Sequence, residues 1–366
     1  MTRLVQCGWE TGLPDQAGAA GVNQFTAPAA VSSSPAARSG LYCLRCSAVN
    51  QSCSSSSLVG AYSRVVIPHA TVTEVWYAFG YWWSHSGEPG APGLLMLHTL
   101  DAGGNFNLVI TNDAGVMRAY YANGGSGIPV LANLVAIGAA STPMAASTWC
   151  HVEVRLVAAT GATGTLEIWL NGVRVLNATA VRTAQATANN NTLVLEYASG
   201  QALSTHTCHH VFDDLRIQDT AGTRNNARPG DEAIRLIVPN AAGDLTQLTR
   251  AGTDSGANWS QVDEVPADTA DYVTGAGAGL TDLYHRTDLA ATTVSAVNVL
   301  ALASNAAGGG TVALVVKTPA GQSAGTAVSL GTTWGWTNRL LETDPSGGAA
   351  WDSAKLAAVQ IGCAVG

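Results

Sequence analysis

The stretch GTLEIWLNGVRVL, Gly164–Leu176, constrains the fold more than any other part of this chain. From Leu166 to Leu170 every second residue is aliphatic, which is the period-two spacing of a strand with one buried face. Asn171 and Gly172 both tolerate positive φ, as a type I′ turn between two strands requires. The sequence therefore predicts a β-hairpin, and the segment contains no nucleophile or metal-ligand cluster.

A two-residue turn also predicts the strand register of this hairpin. Two aliphatic pairs are expected on the core side. One pair is expected on the outer side, where a guanidinium stacks on an indole. These pairs are Leu170–Val173, Ile168–Val175 and, on the outer side, Trp169–Arg174. Trp169 is interpreted as a cover for the sheet, with a carbohydrate platform as the alternative.

Alternation of the same kind recurs along most of the chain. In Thr71–Trp83 (TVTEVWYAFGYWW) the apolar residues of one face are Val75, Tyr77, Phe79, Tyr81 and Trp83. One short helical turn is expected, at Asp352–Ala357, before a closing strand at Val359–Val365. Many strands without a long amphipathic helix indicate an all-β sandwich.

The length of the chain indicates two domains. Its 366 residues are too many for one ordinary domain and suit two β-domains. Residues 220–230 (TAGTRNNARPG) are rich in turn formers. We therefore predict a first domain at 1–219, a linker at 220–230 and a C-terminal β-sandwich domain at 231–366.

Charge and hydropathy exclude several classes of partner. Charged residues make up 11% of the chain and the net charge is −8. Without a basic cluster, nucleic acid is not an expected partner, because phosphate binding needs local positive charge. No apolar run reaches the ~18 residues of a membrane span, so no membrane contact is expected. The N-terminus has no apolar signal region, which favours folding in a reducing cytoplasm.

The cysteines and histidines are interpreted as structural, with no metal. Cys43 and Cys46 lie three residues apart in an expected strand, where their side chains point to opposite faces. The cluster HTCHH would place His206, Cys208 and His210 on one face, but no carboxylate is spaced to complete a metal site. Buried free thiols acting as small hydrophobes are expected instead.

Several motifs occur in an order that resembles a known family. They are Trp9–Gly12 (WETG), Trp149–Val154 (WCHVEV), Leu166–Val173 (LEIWLNGV) and Phe212–Ile217 (FDDLRI). This order is similar to the concanavalin A-like (laminin-G-like) jelly roll of laminin-G domains and pentraxins. More narrowly, the chain resembles tailed-bacteriophage virion proteins in which a second β-domain follows. The resemblance implies an all-β fold, a concanavalin A-like jelly-roll sandwich followed by a second, smaller β-sandwich domain.

Paired acids, which hydrolases of this fold need, are missing. Those hydrolases carry a Glu-x-Asp-x-x-Glu strand that points carboxylates to one face. Glu153 instead stands beside Arg155, and the adjacent Asp213 and Asp214 would face opposite ways on a strand. The calcium positions of laminin-G domains cannot be matched either, and no phosphate loop or dinucleotide fingerprint occurs. The chain is therefore expected not to be an enzyme and to use no cofactor and no metal.

From the resemblance and the low charge we predict a non-enzymatic structural component of a bacteriophage virion. It would be an accessory or appendage protein of the tail or capsid surface, assembled in the host cytoplasm. Its partners would be other virion proteins and further copies of itself, with a trimer as one option.

The alternative is a lectin-like receptor-binding protein that contacts host surface glycan. The candidate carbohydrate-binding residues are aromatic, namely Trp82, Trp83, Tyr120, Tyr121 and Trp169. Core packing is the competing interpretation for each of them. The outer strip is interpreted as a solvated face, with an interface to another subunit as the alternative; it consists of His151, Glu153, Arg155, Trp169 and Arg174.

Overall fold

Alternating apolar residues pair into antiparallel strands through nearly the whole chain. The computed structural model describes residues 3–11, 30–53, 62–86, 94–124, 133–199, 203–221, 224–253, 255–289 and 293–366. The chain divides into two compact units, Met1–Ile234 and Arg235–Gly366. Among the described residues, no helix is both long and apolar enough to cross a membrane.

The described part of the first unit contains strands and no α-helix. The strands are β1 (Arg3–Cys7), β2 (Ala30–Ser32), β3 (Cys43–Cys53), β4 (Tyr62–Val72), β5 (Glu74–Ser86), β6 (Leu94–Leu100), β7 (Phe106–Asp113), β8 (Val116–Ala122), β9 (Leu134–Ala139), β10 (Cys150–Val157), β11 (Gly164–Leu170), β12 (Val173–Val181), β13 (Asn190–Ser199) and β14 (Leu203–Asp219). Their antiparallel pairing gives two sheets. Sheet A has the order β12-β11-β10-β5-β14-β3-β2, with β1 also on β14, and sheet B has the order β4-β13-β6-β7-β8-β9.

The two sheets pack face to face around one core. Tyr77, Phe79 and Tyr81 of β5 are fully buried there. The residues that face them from sheet B include Leu195 of β13 and Ile110 of β7. Two antiparallel sheets around one apolar layer form a jelly-roll β-sandwich, as the sequence predicted.

The opening hairpin forms, with a shifted register. Asn171 and Gly172 have φ of 47° and 82°, as a type I′ turn requires, and Trp169 pairs with Arg174 as predicted. Ile168 pairs with Leu176 instead of Val175, because a β-bulge lies between Trp169 and Ile168. The bulge points Val175 into the core, while Val173 is 64% exposed; the predictions of an Ile168–Val175 pair and a buried Val173 are therefore wrong.

The second unit is also almost entirely β. Its elements are β15 (Pro239–Thr246), β16 (Thr249–Gly252), a 3-10 helix (Asn258–Gln261), β17 (Asp271–Thr274), β18 (Thr281–Arg286), β19 (Val297–Ala303), β20 (Thr311–Thr318), β21 (Gly321–Ala324), β22 (Val328–Ser329), β23 (Gly335–Leu341), α1 (Ser353–Ala358) and β24 (Gln360–Val365). One sheet has the order β15-β18-β24-β20-β21, with β22 also on β20, and the pairs β16-β17 and β19-β23 form two small sheets.

A smaller core holds the second unit together. It contains Val299, Leu314, Val316, Trp351 and Val359. The expected helical turn and closing strand are present as α1 and β24. The Asp352 side chain caps α1 by accepting a hydrogen bond of 2.7 Å from the Lys355 amide.

Six cysteines lie where their side chains are described, and none of these six forms a disulfide. Five are buried in the first unit, and Cys363 in the second unit is half-buried. Burial raises the pKa of the Cys43 and Cys150 thiols to about 12. The expectation of buried free thiols is confirmed for the five cysteines of the first unit.

Replacement of Asn171 should destabilise the first unit. Its side-chain oxygen accepts a hydrogen bond from the His151 amide at 2.8 Å, and its φ of 47° is strained for alanine. Asn171→Ala should lower the free energy of unfolding by about 1–3 kcal/mol. Urea unfolding followed by tryptophan fluorescence measures this, with the exposed Val173→Ala as the control, expected within about 0.5 kcal/mol of wild type. Equal midpoints for Asn171→Ala and wild type would contradict the prediction.

A buried histidine makes the stability of the first unit depend on pH. His210 lies in the core between the rings of Tyr81 and Tyr197, with centroids 5.7 and 5.4 Å away. Its Nδ1 lies 3.1 Å from the Glu196 carbonyl oxygen, and Nε2 has no hydrogen-bond partner. Burial lowers the pKa of His210 to about 4.

Acid should therefore weaken the fold through His210. Between the ordinary histidine pKa and about 4, the unfolded chain binds a proton that the folded chain excludes. From pH 7 to pH 5, His210 should lower the free energy of unfolding by about 2 kcal/mol. Chemical unfolding of wild type and His210→Gln at both pH values checks this, because the glutamine variant should lack that contribution. The same pH slope in both proteins would refute it.

Candidate functional site

The outer face of sheet A is covered by the chain itself. Residues 224–234, named the strap here, lie across this face within the first unit. Gly230 donates its amide hydrogen to Glu153 Oε1 at 2.7 Å, and Arg216 donates to the Gly230 carbonyl at 2.8 Å. Gln218 donates to the Ala227 carbonyl at 3.0 Å. The described part of the predicted linker therefore packs on the sandwich.

Charged and aromatic contacts add to these hydrogen bonds. Arg228 of the strap stacks on Trp169 with its guanidinium carbon 4.3 Å from the ring centroid, and Arg174 lies 5.5 Å from the same ring. Glu232 of the strap accepts from Arg3 at 3.1 Å and from Arg216 at 3.0 Å. Both guanidinium groups are almost fully buried, so the paired carboxylate offsets much of their desolvation.

The strap changes the interpretation of the outer strip on β10. His151 and Glu153 point away from the core as predicted, yet they are 1% and 0% exposed. Burial alone would raise the pKa of Glu153, but the neighbouring His151, the Gly230 amide and Arg228 hold it below its usual range. The prediction of a solvated face is wrong at these two residues, because residues 224–230, which were interpreted as part of a linker, cover them together with 231–234.

Asp213 and Asp214 converge instead of facing opposite ways. Asp214 has a φ of 52° and lies in a bulge of β14, which turns both carboxylates toward Ser39. The Ser39 amide donates to Asp213 Oδ2 at 3.1 Å and its hydroxyl to Asp214 Oδ1 at 2.6 Å. Burial, together with the charge of Asp214, raises the pKa of Asp213 to about 8. Arg38 donates to Asp214 Oδ2 at 2.6 Å.

The outer face of sheet B carries a histidine held by a carboxylate. His98 on β6 and Glu196 on β13 both point away from the core, and their Nδ1 and Oε1 atoms are 2.6 Å apart. A bulge of β13 places Glu196 beside His98. Phe106 packs edge-on against the imidazole, with ring centroids 5.1 Å apart. A carboxylate in this position fixes the imidazole tautomer and the orientation of the ring, as in base–orienter pairs of enzymes.

Tyr120 extends the same row of the sheet. His98 pairs with Val109 on β7, and Val109 pairs with Tyr120 on β8. The backbones of His98 and Tyr120 are therefore about 10 Å apart, two strand spacings. Burial, and the charge of Asp113 after it, raises the pKa of the half-buried Tyr120 hydroxyl.

Two arginines lie beside this row. Arg64 pairs with Glu196 from β4. On β8, Arg118 is bound to Asp113 at 2.6 Å, with its side chain 49% exposed. The face thus contains a buried histidine–glutamate pair, a half-buried aromatic ring and two guanidinium groups.

The five predicted carbohydrate-binding residues do not form one site. Trp82 and Trp169 belong to the outer face of sheet A, where Trp169 lies between two arginines. Trp83 is 7% exposed in the core, and Tyr121 is stacked by Arg182 at 5.1 Å. Tyr120 alone lies on the face that carries His98. Carbohydrate binding by the five residues stays a prediction.

Within the described ranges, no three His, Cys, Asp or Glu side chains are grouped so that they could hold a metal ion. Cys208 and His210 of the HTCHH segment point into the core, and the side chain of His206 lies outside the described residues. Cys43 is bound to the Ser32 carbonyl, with 3.1 Å between sulfur and oxygen.

Comparison with solved structures finds carbohydrate-active and carbohydrate-binding proteins. A glucuronan lyase from the fungus Trichoderma reesei is 17% identical, with a TM-score of 0.43, over 55% of this chain and 90% of that one. An alginate lyase from Aplysia kurodai is 13% identical (TM-score 0.39), over 52% of this chain and 87% of that one. A carbohydrate-binding module from Bacillus subtilis is 14% identical (TM-score 0.28), over 43% and 82%. Neither a protein-family model nor a curated protein matches the chain.

These findings correct the functional prediction. The proteins matched are polysaccharide lyases and carbohydrate-binding proteins, and none of those named here is a virion protein. The prediction of a non-enzymatic virion component is therefore wrong. The non-enzymatic part rested on the missing Glu-x-Asp-x-x-Glu strand, which excludes only one kind of hydrolase site, and the virion part rested on the resemblance and the low charge.

Sequence reasoning missed His98 and Glu196 for a geometric reason. The two residues are 98 positions apart, on strands that become neighbours only when sheet B forms. No local spacing joins them. The available signal was weaker: each is a polar residue at an outward position, directly after an inward-facing leucine, Leu97 or Leu195.

Proposed function

We propose that the first unit binds a polysaccharide on the outer face of sheet B and cleaves it by proton transfer. The observation that carries the proposal is the 2.6 Å contact between His98 and Glu196. An imidazole oriented by a carboxylate is suited to act as a general base. The ring of Tyr120, in the same row, offers a flat surface against which a sugar ring packs.

The charges on this face favour an acidic sugar. Arg64 and Arg118 flank the row, and a guanidinium binds a carboxylate through two parallel hydrogen bonds. Arg118 would have to exchange its partner Asp113 for the sugar carboxylate. Hydrolysis would need a second carboxylate poised beside the first. Asp113, the other described acid beside Tyr120, is paired with Arg118. Elimination from a uronate therefore fits the face better than hydrolysis.

The reaction would proceed as follows. His98 Nε2 takes the proton from the carbon next to the uronate carboxylate. The electrons of that C–H bond form a C=C bond to the neighbouring carbon, and the C–O bond to the leaving sugar breaks. The leaving oxygen receives a proton from the Tyr120 hydroxyl, and solvent water restores both side chains. Because His98 and Glu196 are each 1% exposed, the proposal requires this face to open when the polysaccharide binds.

The test combines binding and cleavage. The full chain is incubated with glucuronan, alginate and a neutral glucan, and calorimetry measures binding. Ultraviolet absorbance detects the C=C bond conjugated to a carboxylate, which only elimination forms. A reducing-end assay detects cleavage by either reaction. We expect saturable binding to an acidic polysaccharide and a rise in absorbance. His98→Asn and Glu196→Gln should each lower the cleavage rate about 10²-fold or more while binding persists.

His209→Gln serves as the control, because His209 lies on sheet A, where its Nδ1 is 2.8 Å from Ser47 Oγ. It should cleave at the wild-type rate. Binding without any cleavage would remove the catalytic half of the proposal and leave a lectin. Absence of binding to all three polysaccharides would refute it entirely. New reducing ends without ultraviolet absorbance would replace elimination by hydrolysis.

A further inference from the structure

His151 is a buried side chain that the proposed function does not use. It lies on β10 under the strap, on the opposite sheet from His98, and is 1% exposed. Neither ring nitrogen has a hydrogen-bond partner. A buried polar atom without a partner costs about 1–3 kcal/mol, so an imidazole with two such atoms needs an explanation.

Two carboxylate oxygens, which are hydrogen-bond acceptors, lie within 4 Å of its ring nitrogens. Nδ1 lies 3.7 Å from Oδ1 of Asp231, which belongs to the strap, and Nε2 lies 3.8 Å from Oε2 of Glu153. Oε2 of Glu153 also has no hydrogen-bond partner. A neutral imidazole offers one donor and one acceptor, whereas the imidazolium offers two donors. Only the protonated ring matches both carboxylates.

The surrounding charges favour the same form. The charged side chains around His151 are two acids and two arginines, from its own strand, from the strap and from the loop packed over Gly80 of β5: Glu153, Asp231, Arg228 and Arg38. Arg228 pairs with Glu153 at 3.4 Å, and Arg38 pairs with Asp231 and also with Asp214. Arg38 is thus shared between two carboxylates, and Asp213 beside Asp214 is a further titratable group on this face. A positive charge on His151 would add to the pairing of Glu153 and Asp231.

We propose that protonation of His151 fastens the strap to sheet A. The imidazolium would form ion pairs with Glu153 on the sheet and with Asp231 on the strap, joining the two across their interface. When His151 is neutral, this junction loses both pairs, and the strap is held by its remaining contacts. The inference is independent of the proposed function.

Amide hydrogen exchange of the full chain tests this directly. The reporter is the Gly230 amide, which donates to Glu153 Oε1 in the closed strap. Its protection factor, which is corrected for the intrinsic effect of pH, should rise roughly three- to tenfold between pH 8 and pH 5, the range for one or two ion pairs. In His151→Gln the rise should be smaller than in wild type, and the part that remains is assigned to Asp213, whose pKa of about 8 lies in the same range.

Two further variants keep the test decisive. Asp231→Asn retains His151 but removes the carboxylate of the strap, so its pH response should be smaller than that of wild type even if His151→Gln fails to fold. His209→Gln, on the same sheet and away from the strap, should respond as wild type does. A flat wild-type profile, or an unchanged response in Asp231→Asn, would overturn the inference.

Discussion

Burial of the inner face of β5 is the constraint on which the first unit depends. This strand lies in the middle of sheet A between β10 and β14, and its inward aromatic side chains fill the space between the sheets. Each fully buried aromatic side chain contributes about 1.5–3 kcal/mol of apolar burial. Because the core uses only one side of each strand, the outward residues of both sheets are free to carry polar groups.

The polar groups on the two outer faces are paired in different ways. On sheet A the polar groups are matched by the strap, so that buried arginines such as Arg216 meet carboxylates and carbonyl oxygens. On sheet B the histidine and glutamate are matched to each other, which leaves the arginines at the side of the row. The first arrangement neutralises charge, and the second provides an oriented base. A charged strip that is covered by its own chain is therefore a poor guide to where a ligand binds.

The sequence predicts strands well where a period of two runs for several residues. The hairpin turn, the inward face of β10, α1 and β24 follow from local patterns. The strand register beyond Trp169 does not follow from a local pattern, because the alternation of apolar residues does not indicate where a β-bulge inserts an extra residue. The convergence of Asp213 and Asp214 was hidden for the same reason. The strap has the composition of a linker. The contacts that hold it are made with strands far away in the chain, so no local pattern indicates them.

The candidate site was predictable only in part. Tyr120 was selected as an exposed aromatic residue, whereas His98 and Glu196 depend on the neighbourhood of β6 and β13, which is a property of the whole topology. Local motif searches find sites whose residues share one strand or one loop. A pair of residues on two strands that are distant in the chain can be predicted only after the order of the strands in the sheet is known.

The buried thiols of the first unit can report how often its two sheets separate. A thiol that is protonated and shielded from water reacts slowly with alkylating reagents. Cys46 on β3 and Cys208 on β14 are fully enclosed between the sheets, and burial raises the pKa of each. Labelling at these positions would therefore record how often the two sheets separate, without any engineered probe.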